Sequence, residues 1–428
     1  MSQIHSTVAQ PLRPLQVQCS RLDLWLRKRV LMRLVGLKHA GLVIHDPVGT
    51  TRLGQPGAEL QAEVKVADMR FWRLMATGGS VGAAEAYMAG LWDTPDPVAV
   101  VRVLARNRNV LPQLERGGAR LANALLGMWH AYNRNNLSGS RRNISAHYDL
   151  GNDFFGAWLD RSMMYSSALY EQDGDDLERA QFNKLERICR KLDLGPDDHL
   201  LEIGTGWGGL AVHAAARYGC HVTTTTISRE QYEHATALVA DAGLSDKVRV
   251  LMKDYRDLDG EYDKLVSVEM IEAVGHHYLD TYLATIDKLL KPDGLALIQA
   301  ITIEDARYRD ALRNIDFIKR YIFPGSFIPS VSAITSAMAR SSRLGLIELA
   351  DFGVSYALTL KSWRERFEDA WTEISEMGFD ETFRRRWRWY LAYCEGGFRE
   401  RAISDVHLLM AGPDWRPASD RGLSAGSP

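Results

Sequence analysis

The sequence predicts an α/β protein: a doubly wound, mostly parallel sheet carried by the C-terminal two thirds, preceded by a smaller α+β unit. Three observations predict it. From about residue 144 onward, short apolar runs alternate with helical patterns, the cadence of repeated βαβ units. The first of these runs ends in Glu202-Ile203-Gly204-Thr205-Gly206-Trp207-Gly208-Gly209, a glycine-rich turn leading straight into a helical pattern. The chain is also too long, at 428 residues, for one ordinary domain.

The first zone runs to about residue 95. GLVIHD (41–46) and AELQAEVKV (58–66) read as short strands, and MRFWRLMATGGSVGAAEAYMAGLW (69–92) reads as helix. From Pro97 to about Arg134, Val98, Val101, Leu104, Leu121, Leu125 and Trp129 recur at helical spacing among Arg102, Arg106, Arg108, Arg116 and Arg120. That is a basic, partly amphipathic connector. The polar stretch NRNNLSGSRRN (133–143) reads as a linker. The expected organisation is an N-terminal unit with its connector (1–132), the linker (133–143), the sheet domain (144–414) and a small, polar tail (415–428).

Within the sheet domain the expected strands are HLLEIG (199–204), HVTTTTIS (221–228), KVRVLMKD (247–254), DKLVSVEM (263–270) and GLALIQAITI (294–303). Helical patterns follow the first two, in WGGLAVHAAARYG and REQYEHATALVADAG. The glycine turn lets the backbone bend sharply and approach a ligand at the C-terminal edge of the sheet, where doubly wound folds bind cofactors. Such a run serves NAD, FAD or S-adenosylmethionine; GxGxGG with an acidic residue two before the first glycine is the methyltransferase form. The second strand ends in Thr226-Ile227-Ser228-Arg229-Glu230-Gln231, without the Asp or Glu that dinucleotide enzymes place on a ribose. This argues against NAD.

Composition narrows the classes further. A net charge of −2 provides no global field toward nucleic acid or an anionic membrane. Cys19, Cys189, Cys220 and Cys394 have no metal-ligand or disulfide-framework spacing, which fits a reducing, cytoplasmic compartment. Adjacent His276 and His277 read as a solvated loop rather than a metal site. No stretch approaches the roughly 20 apolar residues needed to span a bilayer, so contact with a membrane is expected to be peripheral.

The motifs fall in a recognisable order: His147-Tyr148-Asp149-Leu150-Gly151-Asn152-Asp153-Phe154-Phe155, Met164-Tyr165-Ser166-Ser167-Ala168, LEIGTGWGG, TISREQ, Met270-Ile271-Glu272-Ala273-Val274-Gly275 and Tyr321-Ile322-Phe323-Pro324. Together they resemble the cyclopropane-fatty-acyl-phospholipid synthases and the related mycolic acid cyclopropane synthases. Gly82 to Trp92 resembles the N-terminal lipid-binding domain of the phospholipid enzymes, which the mycolic acid enzymes lack. The resemblance implies a methyltransferase (Rossmann-like) sheet that transfers a one-carbon unit from S-adenosylmethionine to the cis double bond of a phospholipid acyl chain. It implies that Tyr165, Ser166, Gly204, Gly206, Thr226, Gln231, Tyr255 and Arg256 surround the cofactor, with Arg256 standing where the family has an acidic residue. It also implies a homodimer, at the inner face of the cell membrane.

In the family the reaction's base is a bicarbonate held by a Cys, a Glu, a His, a backbone amide and a Tyr. Carried over, these are Ser167, Glu272, Gln299, Ile301 and Tyr321, with Cys394 matching a further family cysteine. Ser167 and Gln299 depart from Cys and His. Each can still donate a hydrogen bond to an oxyanion, but Gln carries neither the charge nor the proton relay of an imidazole. The expected product is a cyclopropane, or a methyl-branched unsaturated chain if the altered pocket weakens control of proton removal. The competing readings are that Glu272 and Tyr321 only cap or satisfy local structure, that Cys394 packs as a small hydrophobe, and that the chain is a small-molecule O- or N-methyltransferase or a non-catalytic lipid binder. Trp72, Trp92, Trp129 and Trp158, with the arginines of the connector and linker, are either membrane contacts or core and solvated positions.

Overall fold

The computed structural model describes residues 19–108 and 150–417. The linker 133–143, the connector beyond 108, Trp129 and residues 418–428 of the tail lie outside the described residues.

The N-terminal unit begins with helix α1 (Arg21–Leu34), opened by a capping box in which Ser20 and Asp23 each accept from the other's backbone. Strands β1 (Gly41–Asp46), β2 (Gly49–Gly54), β3 (Gln61–Val66) and β4 (Trp92–Asp93) form a sheet in the order β2-β1-β3-β4. The buried residues of β3 alternate, so one face turns inward. Helix α2 (Arg70–Met88) covers that region but is not the continuous helix its pattern suggests. It breaks at Gly79 (φ 58°, ψ −134°), and a Cβ at Gly82 would stand 2.0 Å from the Leu74 carbonyl oxygen, so the bend requires glycine.

The larger sheet holds seven strands in the order β10-β11-β9-β8-β5-β6-β7: β5 (His199–Ile203), β6 (His221–Thr226), β7 (Val248–Met252), β8 (Tyr262–Val268), β9 (Leu290–Ile303), β10 (Gly345–Asp351) and β11 (Ile403–Ala411). β5 to β9 pair in parallel and β11 runs antiparallel to both of its neighbours. All five strands expected from sequence are present. The order reverses between β5 and β8, and the turns leaving β5, β6 and β8 meet at that switch point.

Helices α3 (Pro97–Arg106), α12 (Gly353–Asp369) and α14 (Glu381–Arg399) knit the two parts together; α4 to α11 and α13 are the shorter intervening helices from Asn152 to Glu376. Trp389 meets Tyr87 and Trp92 at ring-centroid distances of 5.1 and 5.4 Å, and Arg385 donates to the carbonyls of Tyr87 and Trp92. Arg102 and Arg106 both bind Glu400, and Arg108 binds Glu304 and the Glu400 carbonyl. These three arginines therefore hold the parts together and are not a free membrane-facing patch. Trp72, Trp92 and Trp158 are likewise buried core, not interfacial. The three tryptophan rings fill one apolar core shared by both parts.

Candidate active site

Gly204 (φ 102°) and Gly206 (φ 52°) occupy the left-handed region that only glycine adopts freely, and the helix α6 (Gly209–Tyr218) starts directly behind them. The turn opens onto a cavity of about 1290 Å³. All eight residues expected around the cofactor line it: Tyr165, Ser166, Gly204, Gly206, Thr226, Gln231, Tyr255 and Arg256. Thr226 donates to Gln231 Oε1 (2.8 Å), which fixes that amide at the end of β6. Arg256 forms a two-point ion pair with Asp254 (2.8 and 2.7 Å), so an acidic group does stand on this wall, two residues earlier than the family pattern places it.

The same cavity is lined from the N-terminal unit by Leu42, Ile44, Val64, Phe71, Met75 and Val101. Aromatic side chains of Tyr356, Trp389, Tyr390 and Phe398 add to the wall. An apolar chamber and the glycine turn thus belong to one space.

Between strands β8 and β9 lies a buried polar cluster. Register places Gln299 opposite His407 and Ile301 opposite Asp405, and their alternation puts these side chains on one face. Glu269, the residue after β8, has φ 48°, a conformation that is uncommon for a side-chain-bearing residue. Its Oε1 accepts from the Ser167 amide (2.7 Å) and Gln299 Nε2 (2.8 Å), and its Oε2 accepts from the Tyr356 hydroxyl (2.7 Å). Gln299 Nε2 also donates to Asp405 Oδ2 (2.8 Å). Lys184, wholly buried, donates to Ser166 Oγ (2.7 Å); burial lowers its pKa to about 8 against the pull of Glu269, Asp160, Asp405 and Glu202.

Burial raises the pKa of Glu269, opposed by its hydrogen bonds and Lys184, and raises that of Asp405 well above the carboxylate range. Two such carboxyls beside one amide cannot both ionise readily. Asp405 holds the proton, because Glu269 accepts three hydrogen bonds while Asp405 Oδ1 has no partner among the described residues. Glu272 is pushed up to about 8 by burial and by Glu269; its Oε1 accepts from the Ile301 amide (2.6 Å) and its Oε2 is buried without a partner among the described residues.

Of the six residues carried over as catalytic, Glu272, Ile301 and Cys394 line the cavity. Ser167 and Gln299 lie just behind it, bound to Glu269. Tyr321 does not reach it. Its hydroxyl donates to Glu85 (2.6 Å), which also pairs with Arg320, and the tyrosine that does reach the cluster is Tyr356. The family motif at Tyr321 marks the junction with the N-terminal unit instead.

Four of the five groups expected to hold a bicarbonate are already committed to protein partners, leaving only Glu272 Oε2 without one among the described residues, so the set does not fit that anion. Ser167 Oγ donates to the Ala168 carbonyl, the Gln299 amide to Glu269 and Asp405, the Ile301 amide to Glu272, and Tyr321 to Glu85. Among the described residues no group of three or more His, Cys, Asp or Glu side chains could hold a metal ion.

Residues 135–408 match the family model described as mycolic acid cyclopropane synthetase. The chain belongs to the cyclopropane synthase family. It is 38% identical to the cyclopropane-fatty-acyl-phospholipid synthase of Escherichia coli, over 85% of this chain and 89% of that one. It is 39% identical to the tuberculostearic acid methyltransferase UfaA1 of Mycobacterium tuberculosis, over 80% of this chain and 81% of that one. Among solved structures it resembles the mycolic acid cyclopropane synthase CmaA1 complexed with SAH and CTAB (TM-score 0.59, 29% identity, 63% of this chain and 98% of that one). Cyclopropane synthase family membership makes this chain a lipid-modifying methyltransferase with the methyltransferase sheet anticipated from its βαβ cadence.

Proposed function

We propose that this enzyme delivers the methyl carbon of S-adenosylmethionine to the cis double bond of an unsaturated phospholipid acyl chain and closes a cyclopropane ring there. The observation that carries the reading is the single cavity shared by the glycine turn and the apolar residues of the N-terminal unit. A methyl donor at Gly204 and Gly206 and an alkyl chain along Ile44, Val64 and Phe71 would meet inside it. An alkene is a weak nucleophile, so the gain comes from holding it in line with the sulfonium methyl in a water-poor space. The resulting carbocation calls for aromatic or anionic neighbours, which Tyr356, Phe398 and Glu269 supply. A small-molecule O- or N-methyltransferase would have no use for so large an apolar chamber.

Similarity to a tuberculostearic acid methyltransferase at nearly the same identity favours a second product, a methyl-branched unsaturated chain, formed from the same cation. Mass spectrometry and proton NMR of lipids from an expressing strain test both. Cyclopropane signals are expected; branched olefin alone would replace the first product by the second, and neither would overturn the lipid reading.

The enzyme reaches its substrate from the cytoplasmic membrane surface. Among the described residues no helix is long and apolar enough to cross a membrane. Helix α1 instead exposes Trp25 (52%) and Met32 (57%), followed by Val35 (67%), beside the exposed cations Arg21, Lys28 and Arg29. That combination suits an anionic lipid interface. The exposed edge strand β10, with Leu346, Ile347 and Leu349 at its surface, is the place for a homodimer contact, which sedimentation would reveal.

A further inference from the structure

We infer that Glu269 is the built-in base of this enzyme, its carboxylate taking the proton that the family resemblance assigns to a bicarbonate, so that turnover requires no added anion. The inference rests on the lipid one-carbon transfer proposed above. Four observations converge on it. Glu269 lines the cavity at the C-terminal end of β8, on the same wall as Gly204 and Gly206. Its φ of 48° is a strained conformation that persists only where the surroundings impose it, and such positions cluster at reacting sites.

Its carboxylate also takes up the available donors. The Ser167 amide, the Gln299 amide and the Tyr356 hydroxyl, three groups suited to cradle an oxyanion, all converge on Glu269 Oε1 and Oε2. Finally, a bicarbonate here would set a second anion against Glu269, with the buried Lys184 as the cation that acts on that carboxylate. Anions crowded in a buried space repel strongly. The departure at Gln299 then has an explanation: its side-chain amide is the partner of a fixed carboxylate rather than part of a weakened bicarbonate site, whereas Ser167 contributes only its backbone amide.

The step balances. The alkene π pair forms a carbon–carbon bond to the sulfonium methyl while the carbon–sulfur pair leaves with the thioether sulfur, placing the positive charge on the other alkene carbon. A Glu269 oxygen then bonds a proton of the new methyl, and the released carbon–hydrogen pair closes the ring. Glu269 is left as the neutral acid and loses its proton to water before the next cycle.

The test uses the full chain, methyl-labelled S-adenosylmethionine and vesicles of phosphatidylglycerol bearing cis-monounsaturated chains. The wild type should turn over equally in carbon-dioxide-free buffer and in added bicarbonate, and Glu269→Gln should lose roughly 10²- to 10⁴-fold in kcat while calorimetric S-adenosylmethionine binding is kept. Glu269→Gly removes the carboxylate where φ suits glycine, and added formate or bicarbonate should partly restore its rate. A wild-type rate that collapses without bicarbonate and returns with it overturns the assignment, as does a Glu269→Gln variant of normal kcat. Either result leaves the lipid reaction standing, whereas no product from the wild type under any condition overturns both.

Discussion

Two tyrosine-to-phenylalanine substitutions separate the motif-based reading of the site from the geometric one. Tyr356 is wholly buried, and its hydroxyl donates to Glu269 Oε2 at 2.7 Å, with a proton affinity raised well above normal by burial and then by Glu269 itself. A hydrogen bond to a charged group contributes about 1.5–3 kcal/mol, so Tyr356→Phe should lower kcat by roughly 10- to 150-fold if the bond supports the reacting carboxylate. Tyr321 donates to Glu85, which keeps Arg320 at 2.9 Å when that donor is removed. Tyr321→Phe should therefore lower stability by about 1 kcal/mol and change kcat by less than about twofold. Methyl transfer to vesicles gives the rates, and urea unfolding gives the stabilities. A large loss of kcat in Tyr321→Phe with normal turnover in Tyr356→Phe would refute the placement of the site around Glu269.

The remaining predictions concern charge. Burial, reinforced by Glu269, raises Glu272 from 4.5 to about 8, so the folded protein holds a proton that the unfolded chain releases between those values. The resulting stability is full below about 4.5 and is lost as pH rises through about 8, at about 1.4 kcal/mol per pH unit for one group, and Glu272→Gln should flatten urea-unfolding stability across that window. Identical slopes in the two proteins would contradict the shift. Glu400→Ala leaves Arg102 and Arg106, both partly exposed, without their shared partner, and should lower unfolding free energy by about 2 kcal/mol while sparing S-adenosylmethionine affinity in calorimetry. Replacing Arg21, Lys28 and Arg29 together by Gln should weaken flotation with anionic vesicles by about a hundredfold, at about 1 kcal/mol per basic residue. Unchanged flotation would remove α1 from the membrane contact.

Much of the fold was legible because its signals are local. A strand such as HLLEI is a short, largely buried run carrying Leu200, Leu201 and Ile203, and the glycine turn behind it has few other uses before a helix. The eight residues expected around the cofactor all line one cavity, and six of them, from Gly204 to Arg256, sit on or beside the turns that follow β5, β6 and β7. What escaped depends on contacts distant in sequence. Arg102, Arg106 and Glu400 are nearly three hundred residues apart, so a row of arginines at helical spacing reads as a solvated face until its partner is seen. α1 carries no clear sequence signal, because its apolar residues lie on both sides: Val30 and Leu34 are buried while Leu22, Trp25 and Met32 are exposed. Gly79 and Gly82 were visible in the α2 pattern, yet only the close approach of Leu74 shows why they bend it.

The buried polar cluster around Glu269 was less legible for a different reason. Ser167 and Gln299 stand where the family has Cys and His, and position by position they read only as losses. Glu269 was available in sequence as an acidic residue closing a parallel strand, three before Glu272, at the edge where doubly wound sheets place their chemistry. Its carboxylate alters what every nearby substitution means: an imidazole beside Glu269 and Asp405 would be driven to protonate and pair, whereas the neutral Gln299 amide donates to both without adding a charge. Lys184 then suffices as a buried counter-charge while Asp405 stays protonated. The cluster is consistent only as a unit, which is why restoring a single family residue, as in Gln299→His, should lower rather than raise turnover in the same vesicle assay.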